Sequence, residues 1–104
     1  MITEIKDWYI VDVYKDKLFE ERIGKVLWGI VIHDEQGRFK TGDYVCTSRL
    51  LKISPEKREA YTRTGSSYLL HGSGERVGIA HDDLAIISMG VSPSELDCIK
   101  NGFD

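Results

Sequence analysis

Cysteine and proline are scarce in this chain, with two of each among 104 residues. The two cysteines, Cys46 and Cys98, cannot build a disulfide scaffold, and a reducing compartment keeps them as thiols. With so little proline, 30% charged and 41% hydrophobic residues, the composition excludes a fibrous repeat and argues for a folded soluble domain over disorder. Long apolar runs are missing too: none approaches the roughly 18 residues that a membrane-spanning helix needs, so no membrane partner is expected. Residues 1–7 are polar and charged, unlike a secretory signal or transit peptide, which points to a cytoplasmic protein. Charge of one sign is also lacking, since 14 basic and 17 acidic side chains give only −3. That total speaks against a general polyanion binder. No repeat, linker or low-complexity segment divides the chain, and at this length one domain is expected over 1–104, β-rich from 8 to 80 and helical from 82 to 101.

Strand signals dominate the first three quarters. Trp8 to Tyr14 is aromatic and β-branched, which suits a pleated surface. Lys15 to Gly24 reads as a long turn or a single helical turn. Lys25 to His33 places Val26, Trp28, Ile30 and Ile32 on one face with Leu27 and Val31 on the other, the pattern of a strand in the middle of the structure. Asp34 to Gly37 reads as a turn in which the Asp side chain bonds nearby amides. Asp43 to Ile53 reads as one strand, with Val45, Leu51 and Ile53 opposite Tyr44, Cys46 and Leu50. Glu59 to Thr64 and Ser67 to His71 form a hairpin around Gly65, and Val77 to Ala80 is a short edge segment. The expected fold is α+β: a small, strongly bent antiparallel sheet or barrel of five to six strands with one or two C-terminal helices.

The helical part rests on Ser92-Pro93-Ser94-Glu95, a capping box with proline at the first helical position. Leu96, Ile99 and Phe103 recur at helical spacing, and Gly102 supplies a stop, so a helix is predicted from Pro93 to about Asn101. Asp82 to Met89 reads either as a helix with Leu84 and Ile87 buried and Gly90 as its stop, or as a last strand.

Charge is unevenly distributed. Residues 1–35 carry −3, residues 36–64 carry +4 and residues 65–104 carry −4. The basic block also holds Phe39, Tyr44 and Tyr61. Cations interleaved with rings on a small sheet are what single-stranded nucleic acid binding uses, because cations track phosphates while rings stack on bases. On strand alternation, however, Arg49 falls opposite Tyr44 and Lys52, so these side chains do not share one platform, and the overall negative charge disfavours counterion release. An acidic protein partner, or pairing of the basic block with an acidic end of a second copy, is the other reading of the same block.

No catalytic motif is complete. His33, His71 and His81 with Asp34, Asp82 and Asp83 contain no metal-ligand spacing, and no cofactor is expected. Neither cysteine has a histidine close in sequence or a helix N-terminus to lower its pKa, so both read as buried structural thiols. The hydroxyls Thr47, Ser48, Thr62, Thr64, Ser66 and Ser67 lack a nucleophile elbow and read as strand ties and turn bonds. Gly72 to Gly78 has the wrong spacing for a phosphate loop. The pair of segments around Gly90 is no DNA reader, because Pro93-Ser94-Glu95-Leu96-Asp97 would repel phosphate.

Gly37-Arg38-Phe39, Gly42-Asp43-Tyr44-Val45-Cys46-Thr47-Ser48 and Thr62-Arg63-Thr64-Gly65-Ser66-Ser67-Tyr68-Leu69-Leu70 together resemble a pattern in small bacterial proteins classed under domains of unknown function, often associated with phage or other mobile elements. The resemblance implies a bacterial accessory protein and supplies no catalytic residues. The leading expectation is a small non-enzymatic binding module. Its candidate contact residues are Arg38, Phe39, Lys40, Tyr44, Arg49, Lys52, Tyr61 and Arg63, facing an acidic partner. The alternatives are single-stranded nucleic acid binding, homodimerisation through a sheet edge or helix face, and an enzyme site built from His71 and His81 with Asp82 or Asp83.

Overall fold

A computed structural model describes residues 2–101. Two long antiparallel strands form its spine: β1 (Ile2–Tyr14) and β2 (Arg22–Asp34), paired from Thr3 opposite Asp34 to Tyr14 opposite Arg22. Five shorter strands follow: β3 (Tyr44–Cys46), β4 (Leu50–Ser54), β5 (Glu59–Thr62), β6 (Ser67–Leu70) and β7 (Glu75–Ala80). A 3₁₀ turn at His81–Asp83 leads into α1 (Leu84–Ser88) and then α2 (Pro93–Asn101). The sheet order is β3-β2-β1-β6-β5-β4, and β7 pairs with β1 beyond β6.

The ribbon is apolar on both faces. Leu27 and Val31 of β2 join Ile5, Val45, Leu50, Ala60, Tyr68 and Leu70 in a core enclosed by the bent sheet. Val26 and Trp28 join Val11, Val13 and Ile79 in a second core beneath Ile87 of α1 and Leu96 of α2. The two-sided reading of β2 is therefore correct, and it explains the α+β layout: one face is covered by the sheet's own curvature, the other by helices. Trp28 Nε1 donates to the Ile87 carbonyl at 3.1 Å and fastens α1 to the sheet.

A bulge sets the curvature. Pairing steps from Lys6–Ile30 to Tyr9–Trp28, so β1 carries one extra residue there, and Asp7 takes φ 48°. Ile5 and Trp8 consequently point the same way. Gly29 makes room for both, since a Cβ on it would stand 2.8 Å from Ile5 Cδ1. The bulge also divides the far edge of β1. Residues 2–5 pair in parallel with β6 and residues 9–14 in parallel with β7. The turn between β6 and β7 sits at the bulge, where the His71 amide donates to Ile5 O (2.9 Å), Trp8 Nε1 donates to His71 O (3.1 Å), and Gly74 at φ 64° lies against the indole.

Two carboxylates hold the ribbon's ends. Asp12, 7% exposed, accepts a bidentate pair from Arg76 of β7 (2.7 and 3.0 Å) and a bond from Arg22 (3.0 Å). The Arg76 guanidinium first and Arg22 next hold its carboxyl below the usual range, outweighing burial. At the other end Asp34 accepts from the Thr3 hydroxyl and from the amides of Gln36, Arg38 and Phe39. Burial opposes ionisation of Asp34, but these bonds together keep its carboxyl low.

Several expectations change. The first strand begins at Ile2, because polar Thr3 turns inward to Asp34 while Glu4 stays on the opposite face. The run from Asp43 to Ile53 is two strands: Thr47 accepts from the Leu27 amide and donates to Ser48 O, turning a corner. Leu50 rather than Leu51 then faces inward, and Leu51 is 62% exposed. The sheet is mixed and seven-stranded, and it stays open between β3 and β4 rather than closing into a barrel. Of residues 82–89, all but Met89 are helical rather than a last strand, and Met89 and Gly90 (φ 107°) end the helix. The capping box forms: Glu95 N donates to Ser92 Oγ (3.1 Å), and Ser92 N to Glu95 Oε1 (3.2 Å). Leu96 is buried, whereas Ile99 faces outward; Gly102 and Phe103 lie outside the described residues.

Asp12 and Asp34 have lowered folded-state pKa values, so they stabilise the fold fully above the ordinary Asp value of 3.8 and lose that contribution as pH falls through their folded values. Asp12→Asn is expected to cost about 2 kcal/mol at neutral pH and to flatten the acid limb of stability against pH, measured by urea melts. Gly74→Ala should cost about 2 kcal/mol in the same assay, because it adds a methyl to the indole contact at a positive φ.

Candidate functional site

The basic block does not fold into one surface. Arg38, Phe39 and Lys40 belong to the loop that Asp34 organises. The Arg38 guanidinium lies over the Phe39 ring (5.1 Å), stands 3.6 Å from Asp34 Oδ2 and donates to Thr3 Oγ1. Phe39 packs on the inner core. Arg38 is thus engaged locally, and only Lys40 projects freely. Tyr44 is a clamp rather than a stacking platform: its ring stacks on Trp28 (6.2 Å, 15°) and its hydroxyl donates to Ser88 O at 2.7 Å. Lys52 and Tyr61 are cross-strand neighbours on β4 and β5, with the Tyr61 hydroxyl donating to Glu59.

Arg49 and Arg63 do come together. The Arg63 amide donates to Arg49 O (2.8 Å), and the hydroxyls of Ser48 and Thr64 meet at 3.1 Å beside them. These are the hydroxyl ties expected of Thr47-Ser48 and Thr62-Thr64. The Arg49 side chain packs over Gly24 and lines a hollow of about 130 Å³ with Arg22, Lys25 and Leu50. Arg22 is committed to Asp12. Among the described residues, Lys25, Arg49 and Arg63 make no ion pair. Lys25 was missed in the sequence because it lies outside the basic block, at the start of β2. Only the β2 pairing and the Thr47 corner bring it to Arg49.

The histidine and carboxylate candidates are dispersed. The His71 amide bonds Ile5, while His81 follows Ala80, which pairs with Tyr14, so the two lie toward opposite ends of β1, roughly 30 Å apart at strand rise. His71 Nε2 contacts Glu4 Oε1 at 2.8 Å, and Asp83 pairs with Lys100 at 2.9 Å. No group of three His, Cys, Asp or Glu side chains able to hold a metal occurs among the described residues. The cysteines separate. Cys46 is half-buried on β3, where burial pushes its thiol pKa up against a contact with Ser88 Oγ, whereas Cys98 is exposed on α2 rather than buried as expected.

Sequence reading gave no sign of a further concavity. A cleft of about 620 Å³ runs along β7, between α2 and the β1–β2 loop that carries Lys17 and Phe19. Tyr9, Phe19 and Val77 supply its apolar surface, with the buried Ile79 and Leu96 beneath.

Residues 1–86 match the family model described as a domain of unknown function, DUF6957. The chain belongs to that family. The matched part of the DUF6957 chain runs from β1 into α1 and leaves α2, one wall of the cleft, outside it. No curated protein and no solved structure matches the chain. No helix among the described residues is long and apolar enough to cross a membrane.

The difference between the two thiols is directly measurable. In the folded protein Cys98 should react promptly with a disulfide reagent at neutral pH, and Cys46 only slowly until denaturant is added. Equal rates for both would contradict the placement of Cys46 on β3.

Proposed function

We propose that this chain is a small non-enzymatic binding module that contacts an acidic partner through the basic end formed by Lys25, Arg49 and Arg63. The supporting observation is that Lys25 and Arg49 line one hollow beside Gly24 and the Arg63 backbone bonds Arg49, with no ion pair at the three among the described residues, while Arg22, Arg38 and Arg76 are each held by a carboxylate. Cations not neutralised at home give a local positive field on a chain of net charge −3, and such a field steers and orients an acidic surface. The hydroxyls of Ser48 and Thr64 add hydrogen-bonding capacity beside it.

Single-stranded nucleic acid is the second reading, supported by Lys52 beside Tyr61 on the β4–β5 pair. A polyglutamate peptide and an oligothymidylate, titrated at several salt concentrations, separate the two. Polyglutamate is expected to bind at low salt, and Arg49→Glu with Arg63→Glu to weaken it about tenfold or more with the fold intact. Tighter oligothymidylate binding that depends on Lys52 and Tyr61 would transfer the proposal to nucleic acid. No binding of either probe at low salt would sink both.

A further inference from the structure

The acidic part of the chain carries a different feature, on the side of β1 away from β2. Among the described residues β7 pairs with β1 alone, and no other strand uses its second edge. From Glu75 to Gly78, ahead of the buried Ile79 and Ala80, alternate backbone donors and acceptors therefore form an open ladder. The edge borders the cleft, with α2 on one side and the Lys17–Phe19 loop on the other. We propose that the free edge of β7 accepts an extended, lysine- or arginine-bearing peptide segment of a partner protein as an added strand.

Backbone pairing dictates an extended occupant, and the apolar surface that Tyr9, Val77 and Phe19 leave exposed suits alternate side chains of such a strand. Charge dictates the other side chains. Residues 75–101 contain five carboxylates and two cations, and both cations are occupied: Arg76 by Asp12 and Lys100 by Asp83. Glu75 and Asp97 line the cleft without an ion-pair partner among the described residues, and of the two lysines that line it with them Lys100 is paired with Asp83, which leaves Lys17. A second copy of the chain fits less well. Its own free edges belong to strands built into a sheet, and their neighbours would meet α2 and the loop, whereas a single extended segment passes between these walls.

The probes are six-residue peptides, matched to β7, that alternate lysine with valine. A glutamate–valine counterpart and lysine–valine versions N-methylated at alternate residues serve as controls. Binding is followed together with hydrogen exchange of the amides of residues 75–80. The lysine–valine peptide is expected to slow exchange along β7. The glutamate and N-methylated peptides should bind about tenfold more weakly, and Glu75→Lys with Asp97→Lys should weaken the lysine–valine peptide about tenfold without shifting the Tm. Absence of protection along β7, or equal binding of the N-methylated peptides, overturns the proposal. Protection that rises with protein concentration in the absence of peptide also overturns it, by assigning the edge to a second copy. The readout lies on β7, so loss of polyglutamate binding at the basic end leaves it unaffected.

Discussion

Burial of the β1–β2 ribbon on both faces is the constraint from which the rest of the architecture follows. A ribbon with Leu27 and Val31 on one side and Val26 and Trp28 on the other cannot stop at one layer. The short strands β3 to β6 must curl over the first side, and the C-terminal helices must close the second. Because β2 and its hairpin loop occupy one flank, the other flank of β1 is left for the late strands, and the bulge at Asp7 apportions it between β6 and β7. The polar clamps are secondary to this but decide geometry. Asp12 fixes β7 to the ribbon and Asp34 shapes the loop into β3, each by concentrating several donors on one carboxylate.

How much of this is legible in the sequence depends on the range of the interaction. Features set by neighbouring residues read correctly: the capping box at Ser92, the Asp34 turn, the Gly65 hairpin and the two-faced pattern of β2. Features set by distant contacts do not. Nothing local announces that Thr3 turns inward, because its reason is Asp34 at the far end of β2. The corner at Thr47 is equally silent, since its hydroxyl answers the Leu27 amide on another strand. Parallel pairing of β1 with β6 and β7 has no sequence signature of its own.

The candidate contact residues show the same division. The +4 block is real as a count, but folding disperses it. Arg38 is spent on Asp34 and Phe39, Tyr44 on Trp28 and Ser88, Lys52 pairs with Tyr61, and Arg49 is joined to Arg63 through the backbone. The third cation of that cluster, Lys25, comes from the acidic first segment. Segment charge thus indicated that the molecule is polarised without saying which side chains make the poles.

The parallel placement of β6 and β7 bears on how the chain assembles. Tyr9 finds its partner at Glu75 and Tyr14 at Ala80, so the flank of β1 opposite β2 must wait for strands that emerge far later. The β1–β2 hairpin is a pairing of neighbours in sequence, while the other edge of β1 is satisfied only by strands from the later part of the chain. Long-range strand pairing is slow for reasons of loop entropy, and an unsatisfied strand edge is the part of a nascent protein most prone to wrong partners. The bulge at Asp7 breaks that waiting edge into two short runs, so the nascent hairpin offers a stranger no long, straight template.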